Sequence, residues 1–202
     1  ENSSNPVRNA ATKLSIPVAE IKVSKNAAAG KFSLFDTSSA ISLPSEKTEA
    51  LVLHTSGTTS RPKVVPLTQQ NLAVSAGNIA GTLKLKGVDH SLNIMPLFHI
   101  HGLIAVLCAS ISAGSSVCCT QGFNALRFFE LAKSEKISWY SGVPTMHQAI
   151  LLRGLRQAEV AKALKLRFIR SSSASLPPAV FDELAELFFC PVIEAYGMTE
   201  AT

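Results

Sequence analysis

The chain has 202 residues, of which 47% are hydrophobic and 16% are charged, so it has the composition of a folded protein and not of a disordered tail. This length corresponds to one large domain or a tight pair of domains. The formal net charge of +5 comes from scattered basic residues without interleaved aromatic side chains, so we expect no nucleic-acid partner. No apolar run reaches the roughly 20 residues of a membrane span, and we expect none.

In chain order, residues 1–48 are a mixed lead-in that we assign to a preceding subdomain, and residues 49–202 form an α/β subdomain that is incomplete at its C-terminus. Short apolar runs predict strands at 50–54, 92–95, 116–119, 137–140, 166–170 and 192–195. Segments of helical character lie near 68–83, 101–112, 124–135, 144–153 and 178–188, and Thr68 is a plausible N-cap. This alternation predicts a doubly wound, mostly parallel sheet with helices on both faces, and ligands bind beyond the carboxyl ends of such strands.

The segment 55–63 reads Thr-Ser-Gly-Thr-Thr-Ser-Arg-Pro-Lys and follows the first predicted strand. Its hydroxyls, its glycine and Lys63 suit a polyphosphate, although a plain hydrophilic loop has the same composition. The segment does not match a Walker A motif, because Pro62 stands at the second glycine and Val64 at the magnesium-binding Ser or Thr. A bound metal ion would therefore need a ligand from elsewhere.

Three later segments also follow predicted strands. Within 95–102, His99 lies beside Phe98 and is placed to gate a pocket, while His101 is more readily a hydrogen-bonded core histidine than a metal ligand, since no third ligand is evident. Segment 170–176, Arg-Ser-Ser-Ser-Ala-Ser-Leu, has small residues that suit either a flat ligand or a turn with serine caps. Segment 194–200, Glu-Ala-Tyr-Gly-Met-Thr-Glu, combines an aromatic ring for a base with a carboxylate for magnesium.

In this order the four segments resemble the adenylate-forming superfamily, which comprises acyl-CoA synthetases, peptide-synthetase adenylation domains and firefly luciferase. The resemblance covers roughly 50–202 and is closest to the plant and fungal oxalate–CoA ligase branch, although the general family more often has glycine at Ser60. Ligases of the coumarate and fatty-acid type are the near alternative. The resemblance implies that a small carboxylic acid such as oxalate reacts with ATP to an acyl-adenylate, which CoA then converts to a thioester, with Mg²⁺ as the metal.

The resemblance also implies roles for single residues. The β- and γ-phosphates of ATP would be held by Thr55, Ser56, Gly57, Thr58, Thr59 and Lys63. The adenine and acyl sites would be lined by Ser172, Ser173 and Ala174. The last motif, Glu194, Ala195, Tyr196, Gly197, Met198, Thr199 and Glu200, would place Tyr196 on adenine, Thr199 at the α-phosphate and Glu200 on magnesium. The catalytic set is His99, which closes over the carboxylate pocket, with Thr199 and Glu200.

The sequence departs from the family pattern after the phosphate-binding lysine, where Val64 replaces glycine. A β-branched residue would be strained there if the position needs a positive φ, and this favours a second hypothesis, a degenerate, non-catalytic binding or structural module. Ala195 is a milder departure at a position where glycine is usual, and Glu194 replaces a common glutamine, a change that bears on substrate choice.

The chain opens on Glu1 and stops directly after the last motif, so we expect a piece of a longer polypeptide. The family's mobile C-terminal domain and its catalytic lysine would lie beyond Thr202. We therefore expect the isolated chain to lack ligase activity. We also expect a monomer or weak homo-oligomer in the cytoplasm, or alternatively in the peroxisome.

Overall fold

The computed structural model describes residues 5–18, 21–22, 26, 33–34, 43–55 and 62–202, in two units, Glu1–Leu43 and Pro44–Thr202. The first unit contains α1 (Pro6–Lys13) and the antiparallel pair β1 (Ile21–Lys22) and β2 (Ser33–Leu34). Helix α1 begins after Asn5, whose side chain accepts a hydrogen bond from the backbone N–H of Val7. This is an ordinary N-cap.

The second unit holds an antiparallel ribbon and a five-stranded parallel sheet in the order β6-β5-β7-β8-β9. Its strands are β3 (Glu49–Thr55), β4 (Lys63–Thr68), β5 (His90–Asn93), β6 (Ser116–Cys119), β7 (Trp139–Gly142), β8 (Phe168–Ser172) and β9 (Val192–Ala195). Its α-helices are α2 (Gln69–Thr82), α3 (Ala109–Ser112), α4 (Ala125–Ser134), α5 (Pro144–Leu155), α6 (Ala158–Ala163) and α7 (Pro178–Phe188). A π-helix spans His101–Cys108, and a 3₁₀-helix spans Thr199–Ala201. The predicted α/β class with a mostly parallel sheet is confirmed.

Helices cover both faces of the parallel sheet, so its central strands β7 and β8 are buried along their whole length. On one face, Tyr140 and Ile169 pack with residues of α4, α5, α6 and α7 in the larger core cluster. On the other, Trp139 and Phe168 pack with Val106 of the π-helix and the end of α2. Side chains that alternate along each strand therefore enter two different cores.

Gly154 lies at a close helix contact in the larger core. A Cβ atom at this position would lie 2.6 Å from Leu187 Cδ2 and 3.0 Å from Phe129 Cζ. A methyl group here would require these side-chain tips to shift, so α5 packs closely against α7 and α4.

The first predicted strand is present, but it lies outside the parallel sheet. Strand β3 pairs with β4 in the separate antiparallel ribbon, and its side chains are half-buried or exposed. Strand β4 was not predicted; it begins at Lys63 and buries Val65 and Leu67. Its alternation is that of a strand with one buried face.

The start of α2 agrees with the sequence. Thr68 is its N-cap, with Oγ1 accepting from the Asn71 N–H at 3.2 Å while Asn71 Oδ1 accepts from the Thr68 N–H at 3.0 Å. This reciprocal pair is a capping box. Strands β5, β7 and β8 are each shifted by two residues from the predicted runs. No helix in the described ranges has the length and apolar character to cross a bilayer.

Candidate active site

A cleft of about 1220 Å³ opens at the carboxyl ends of β8 and β9. Its other walls are formed by the antiparallel ribbon, α2 and the π-helix. It is lined by eleven of the residues predicted for the site: Thr55, His99, Ser172, Ser173, Glu194, Ala195, Tyr196, Gly197, Met198, Thr199 and Glu200. Two predicted residues, Lys63 and Ala174, are not among its lining residues. The remaining four, Ser56, Gly57, Thr58 and Thr59, lie outside the described residues.

Lys63 nevertheless reaches the edge of this group. It is the first residue of β4, opposite Thr55 at the end of β3, and its Nζ lies 3.7 Å from Oε1 of Glu200 in the 3₁₀-helix. The Lys63 side chain is 64% exposed. The ribbon therefore brings a mobile positive charge next to the carboxylate that ends the last motif.

The last motif is held by two hydrogen bonds that leave its aromatic ring free. Oε1 of Glu194 accepts from the backbone N–H of Leu176 at 3.1 Å, and the Ser172 hydroxyl donates to the carbonyl of Ala195 at 2.8 Å. Tyr196 is 94% exposed at the cleft. An exposed ring on an anchored loop can stack on a planar ligand without rearrangement of its support.

The loop that carries the histidines is held against the sheet. Asn93 Nδ2 donates to the carbonyl of Gly102 at 3.0 Å, and its Oδ1 accepts from the Met95 N–H at 3.2 Å. A Cβ at residue 102 would lie 2.5 Å from the carbonyl oxygen of Pro96, so only glycine fits. The predicted helix at 101–112 begins here as a π-helix, a geometry that is frequent at functional sites.

The two histidines have different environments. His99 is exposed at the cleft, and its Nδ1 accepts from the backbone N–H of His101 at 3.3 Å. His101 is buried, with Nε2 2.7 Å from the Ser141 hydroxyl and Nδ1 3.1 Å from the Ser173 hydroxyl. Burial, followed by the charge of Arg170, lowers the pKa of His101 to about 3, so this ring is neutral at physiological pH.

From the sequence, Arg170 is, with His99, a candidate cationic partner for a short dicarboxylate, whereas Ser141 was not assigned to the site. Arg170 lies in β8, lines the cleft and is only 8% exposed, and its Nη1 donates to Ser141 Oγ at 3.3 Å. Burial lowers the pKa of Arg170 to about 10, so the guanidinium keeps its charge. The signal for Arg170 was a charged residue directly after the apolar pair Phe168 and Ile169, whereas a serine in a buried strand is too common to identify Ser141.

Two chemical expectations can be compared with the geometry. The strain expected at Val64 was wrong, because Val64 is in extended β4, opposite His54, and is not among the residues with positive φ. A β-branched side chain is favourable in a strand. The described part of the chain contains no group of three or more His, Cys, Asp or Glu side chains able to hold a metal ion. A metal ion held by Glu200 would therefore take most of its ligands from bound substrate and water.

Ser173 has a positive φ of 77° and is exposed where it contacts His101. A non-glycine residue in this region is strained, and such strain is concentrated at ligand sites. The conformation directs the Ser173 hydroxyl to Nδ1 of His101. Strand β8 therefore ends in a strained turn at the cleft.

Comparison with known proteins places the chain in a family. The family described as AMP-binding enzyme matches residues 3–202. The oxalate–CoA ligase of Arabidopsis thaliana is 52% identical over 155 residues, which are 76% of this chain and 30% of that protein. The oxalate–CoA ligase of Saccharomyces cerevisiae is 44% identical over 153 residues, which are 76% of this chain and 27% of that protein.

Solved structures agree with these matches. A malonyl-CoA ligase in a ternary product complex with methylmalonyl-CoA and AMP has a TM-score of 0.70 and 34% identity, covering 77% of this chain and 34% of that one. ATP-bound MatB from Rhodopseudomonas palustris has a TM-score of 0.70 and 27% identity, covering 78% of this chain and 30% of that one. The chain thus spans about a third or less of the length of these relatives. The resemblance to adenylate-forming enzymes is confirmed, and the chain belongs to the AMP-binding enzyme family.

Proposed function

We propose that this chain is the nucleotide-binding part of an ATP-dependent, AMP-forming acid–CoA ligase. The observation that carries the proposal is the convergence on one cleft of residues at the carboxyl end of β3 and at or beyond the carboxyl ends of β5, β8 and β9. These four segments are far apart in the chain, and a common cleft gives them a common ligand. The relatives named oxalate–CoA ligase and malonyl-CoA ligase support a CoA ligase reaction for the whole protein.

In this proposal ATP lies across the cleft with its base at Tyr196. Ser172, Ser173 and Ala174 border the adenine and acyl sites, and Glu194, Ala195, Gly197 and Met198 complete the nucleotide-binding motif. Lys63 carries the positive charge for the β- and γ-phosphates, together with Thr55 and the segment Ser56, Gly57, Thr58 and Thr59. Thr199 contacts the α-phosphate. An exposed lysine suits this role because it can follow a phosphate as a point charge.

Glu200 fits a magnesium ion that is bound mainly by substrate. Mg²⁺ is usually held by one or two carboxylates together with phosphate oxygens and water, and not by an all-protein cage. A single carboxylate beside the proposed phosphate site meets that description. The ion would neutralise phosphate charge, and the side chain of Glu200 would fix its position.

The reaction proceeds in two steps in this proposal. An oxygen of the carboxylate attacks the α-phosphorus of ATP, and the bond to the bridging oxygen breaks to release pyrophosphate. The thiolate sulfur of CoA then attacks the acyl carbon, AMP leaves, and the thiol proton passes to solvent. The chain contributes mainly positioning and charge stabilisation, with His99 at the carboxylate and Thr199 at the α-phosphate.

The preferred substrate in this proposal is a small carboxylic acid such as oxalate. The relatives from Arabidopsis thaliana and Saccharomyces cerevisiae are both named oxalate–CoA ligase, and this supports the choice. A ligase of the coumarate or fatty-acid type is the second candidate. The test is pyrophosphate release by the full-length protein with ATP, Mg²⁺ and CoA, over oxalate, acetate, a medium-chain fatty acid and coumarate.

We expect release with oxalate and the matching CoA thioester by mass spectrometry. Activity with coumarate alone would select the second candidate. Absence of release with every acid would favour the non-catalytic module. The structure removes the main argument for that module, since Val64 is unstrained in β4. The Val64→Gly variant is therefore expected to gain no activity.

We further propose that residues 49–202 form the nucleotide-binding subdomain and 1–48 belong to a preceding one. All four cysteines, Cys108, Cys118, Cys119 and Cys190, are free thiols, which supports a reducing compartment such as the cytoplasm. The peroxisome is the alternative site, and imaging of the tagged full-length protein distinguishes the two.

A further inference from the structure

The face of the sheet toward the π-helix changes character along the strands. At the amino side, Trp139 stacks on Phe168 with ring centroids 5.0 Å apart. Two residues further along the same strands, the same face carries Ser141 and Arg170. The cleft therefore has a polar, charged floor directly beside a dry aromatic core.

Arg170 is a buried cation with little to balance it. Its guanidinium has five N–H donors, and within the described part of the chain these donors make one hydrogen bond, to Ser141 Oγ at 3.3 Å. Among the residues that the structure describes, no carboxylate forms an ion pair with Arg170. A buried charge is costly unless it is paired, so this arrangement calls for an anion from outside.

Arg167, three residues earlier, is paired with a buried carboxylate, and a buried charge is usually paired in this way. Arg167 donates to both carboxylate oxygens of the buried Asp89, at 3.0 and 2.8 Å, and its guanidinium lies over the Phe168 ring. The arginine that directly precedes β8 thus has a carboxylate partner, and the arginine within β8 faces the cleft. The contrast indicates that Arg170 is available to a ligand.

The groups around Arg170 are neutral donors and acceptors. The Ser141 hydroxyl donates to the carbonyl of Arg170 at 3.1 Å, so Nε2 of His101 is the donor to Ser141 Oγ. Nδ1 of His101 then accepts from the Ser173 hydroxyl. The network holds the imidazole uncharged, and the floor of the cleft carries a single positive charge.

We propose that Arg170 binds the second, non-reacting carboxylate of a dicarboxylate substrate and thereby selects dicarboxylates over monocarboxylates. This inference rests on the proposed function. A guanidinium fork matches both oxygens of a carboxylate, and a desolvated site strengthens the contact. The carboxylate bound to Arg170 forms and breaks no covalent bond, while the other carboxylate attacks ATP.

The test compares oxalate with oxamate, which replaces one carboxylate by a neutral amide of similar shape. Binding of each to the full-length protein is measured by calorimetry, and pyrophosphate release is measured in parallel. The variants are Arg170→Gln, which removes the charge but keeps a donor for Ser141, and Arg170→Lys, which keeps the charge. Arg156→Gln, at the exposed C-cap of α5, is the control for loss of a positive charge.

We expect the wild type and the Arg156→Gln control to prefer oxalate over oxamate by about 30-fold or more, as for a buried charge pair. Arg170→Gln is expected to lose most of this preference, and Arg170→Lys to keep part of it. Equal binding of the two ligands by the wild type would overturn the proposal. So would an unchanged preference in Arg170→Gln, or equal losses in both variants.

Binding and turnover separate this inference from the proposed function. Selective oxalate binding that depends on Arg170, without pyrophosphate release, supports the inference and rejects the ligase. Pyrophosphate release from oxalate with no effect of Arg170 on selectivity supports the ligase and rejects the inference. If Arg170→Gln does not fold, Arg170→Lys and the wild-type ratio decide the outcome.

Discussion

The ammonium group of Lys63 lies 3.7 Å from Oε1 of Glu200, so the proposed phosphate ligand and the proposed magnesium ligand contact each other. Bound nucleotide with its metal would satisfy both charges separately. The ion pair therefore keeps two oppositely charged side chains beside the cleft. Each of them can exchange its partner for a bound ligand. Breaking this exposed pair costs little free energy, since a surface ion pair stabilises a protein by about 0–1 kcal/mol.

Replacing Lys63 tests this relationship. Lys63→Gln in the full-length protein is expected to raise the KM for ATP about 10-fold or more, because a charge-assisted contact to phosphate is lost. Its unfolding free energy should change by less than about 1 kcal/mol. Lys162→Gln is the control, since Lys162 forms a comparable exposed pair with Glu159 at 3.8 Å. An equal rise in KM for both variants would contradict the role of Lys63.

Gly102 sets the path of the chain between the two histidines. Gly102→Ala is expected to lower the unfolding free energy by about 1–3 kcal/mol, since the new methyl group meets backbone oxygens and cannot be relieved by a rotamer change. Gly77→Ala in α2 is the control, because nothing lies within 4 Å of its Cβ position. That control should stabilise by about 1 kcal/mol through helix propensity.

Urea unfolding measures both glycine variants. A neutral Gly102→Ala variant would show that the loop can move away from the Pro96 carbonyl. Kinetics of the same variant should show a larger loss for the acid substrate than for ATP, because His99 lies on this loop.

The buried histidines predict a fall in stability on acidification. Burial lowers the pKa of His101 to about 3 and of His147 to about 4. The unfolded chain takes up protons on these rings below about pH 6.5, whereas the folded chain does not, so protons favour unfolding. Each ring contributes up to about 1.4 kcal/mol per pH unit between pH 6.5 and its folded pKa.

Urea unfolding from pH 6.5 to 4.5 measures how the unfolding free energy depends on pH. This range lies above the ordinary pKa values of Asp and Glu, about 3.9 and 4.3. His101→Gln is expected to be less stable at pH 6.5 but to lose stability more slowly on acidification. The same slope in the variant and the wild type would show that His101 is protonated in the folded protein.

Phe189 ends α7 in a left-handed conformation, with φ of 51°, and its side chain is exposed. Phe189→Gly should stabilise the protein by about 1 kcal/mol, because glycine has no Cβ strain in this conformation. Phe189→Ala keeps the strain and serves as the control. The difference between their urea midpoints reports the backbone alone, and no difference would mean that the turn relaxes.

The parallel sheet could be predicted because its strands are short, mostly apolar runs, as at β6 and β9, which coincide with 116–119 and 192–195. The ribbon could not be predicted in this way, because β4 contains Pro66 and follows a turn-rich segment. Its alternation of Val65 and Leu67 with exposed neighbours was the available signal.

The candidate site was likewise predictable from the sequence only in part. Motif residues such as Tyr196 and Glu200 are recognisable from local sequence, and the structure brings them to one cleft. The network of His101, Ser141 and Arg170 joins residues up to 69 positions apart through strand register, which no local pattern encodes. Buried polar contacts of this kind require the sheet order first.

Gly154 belongs to the face of the sheet that is turned away from the cleft, where it lies against side chains of α7 and α4. No residue of α4, α5, α6 or α7 lines the cleft, whereas residues of α2 and the π-helix do. Adaptation to acids of different size is therefore expected in the layer of α2 and the π-helix, which forms the wall of the cleft. Natural or engineered changes of substrate range are expected to accumulate in that wall and to leave the helices behind the sheet untouched.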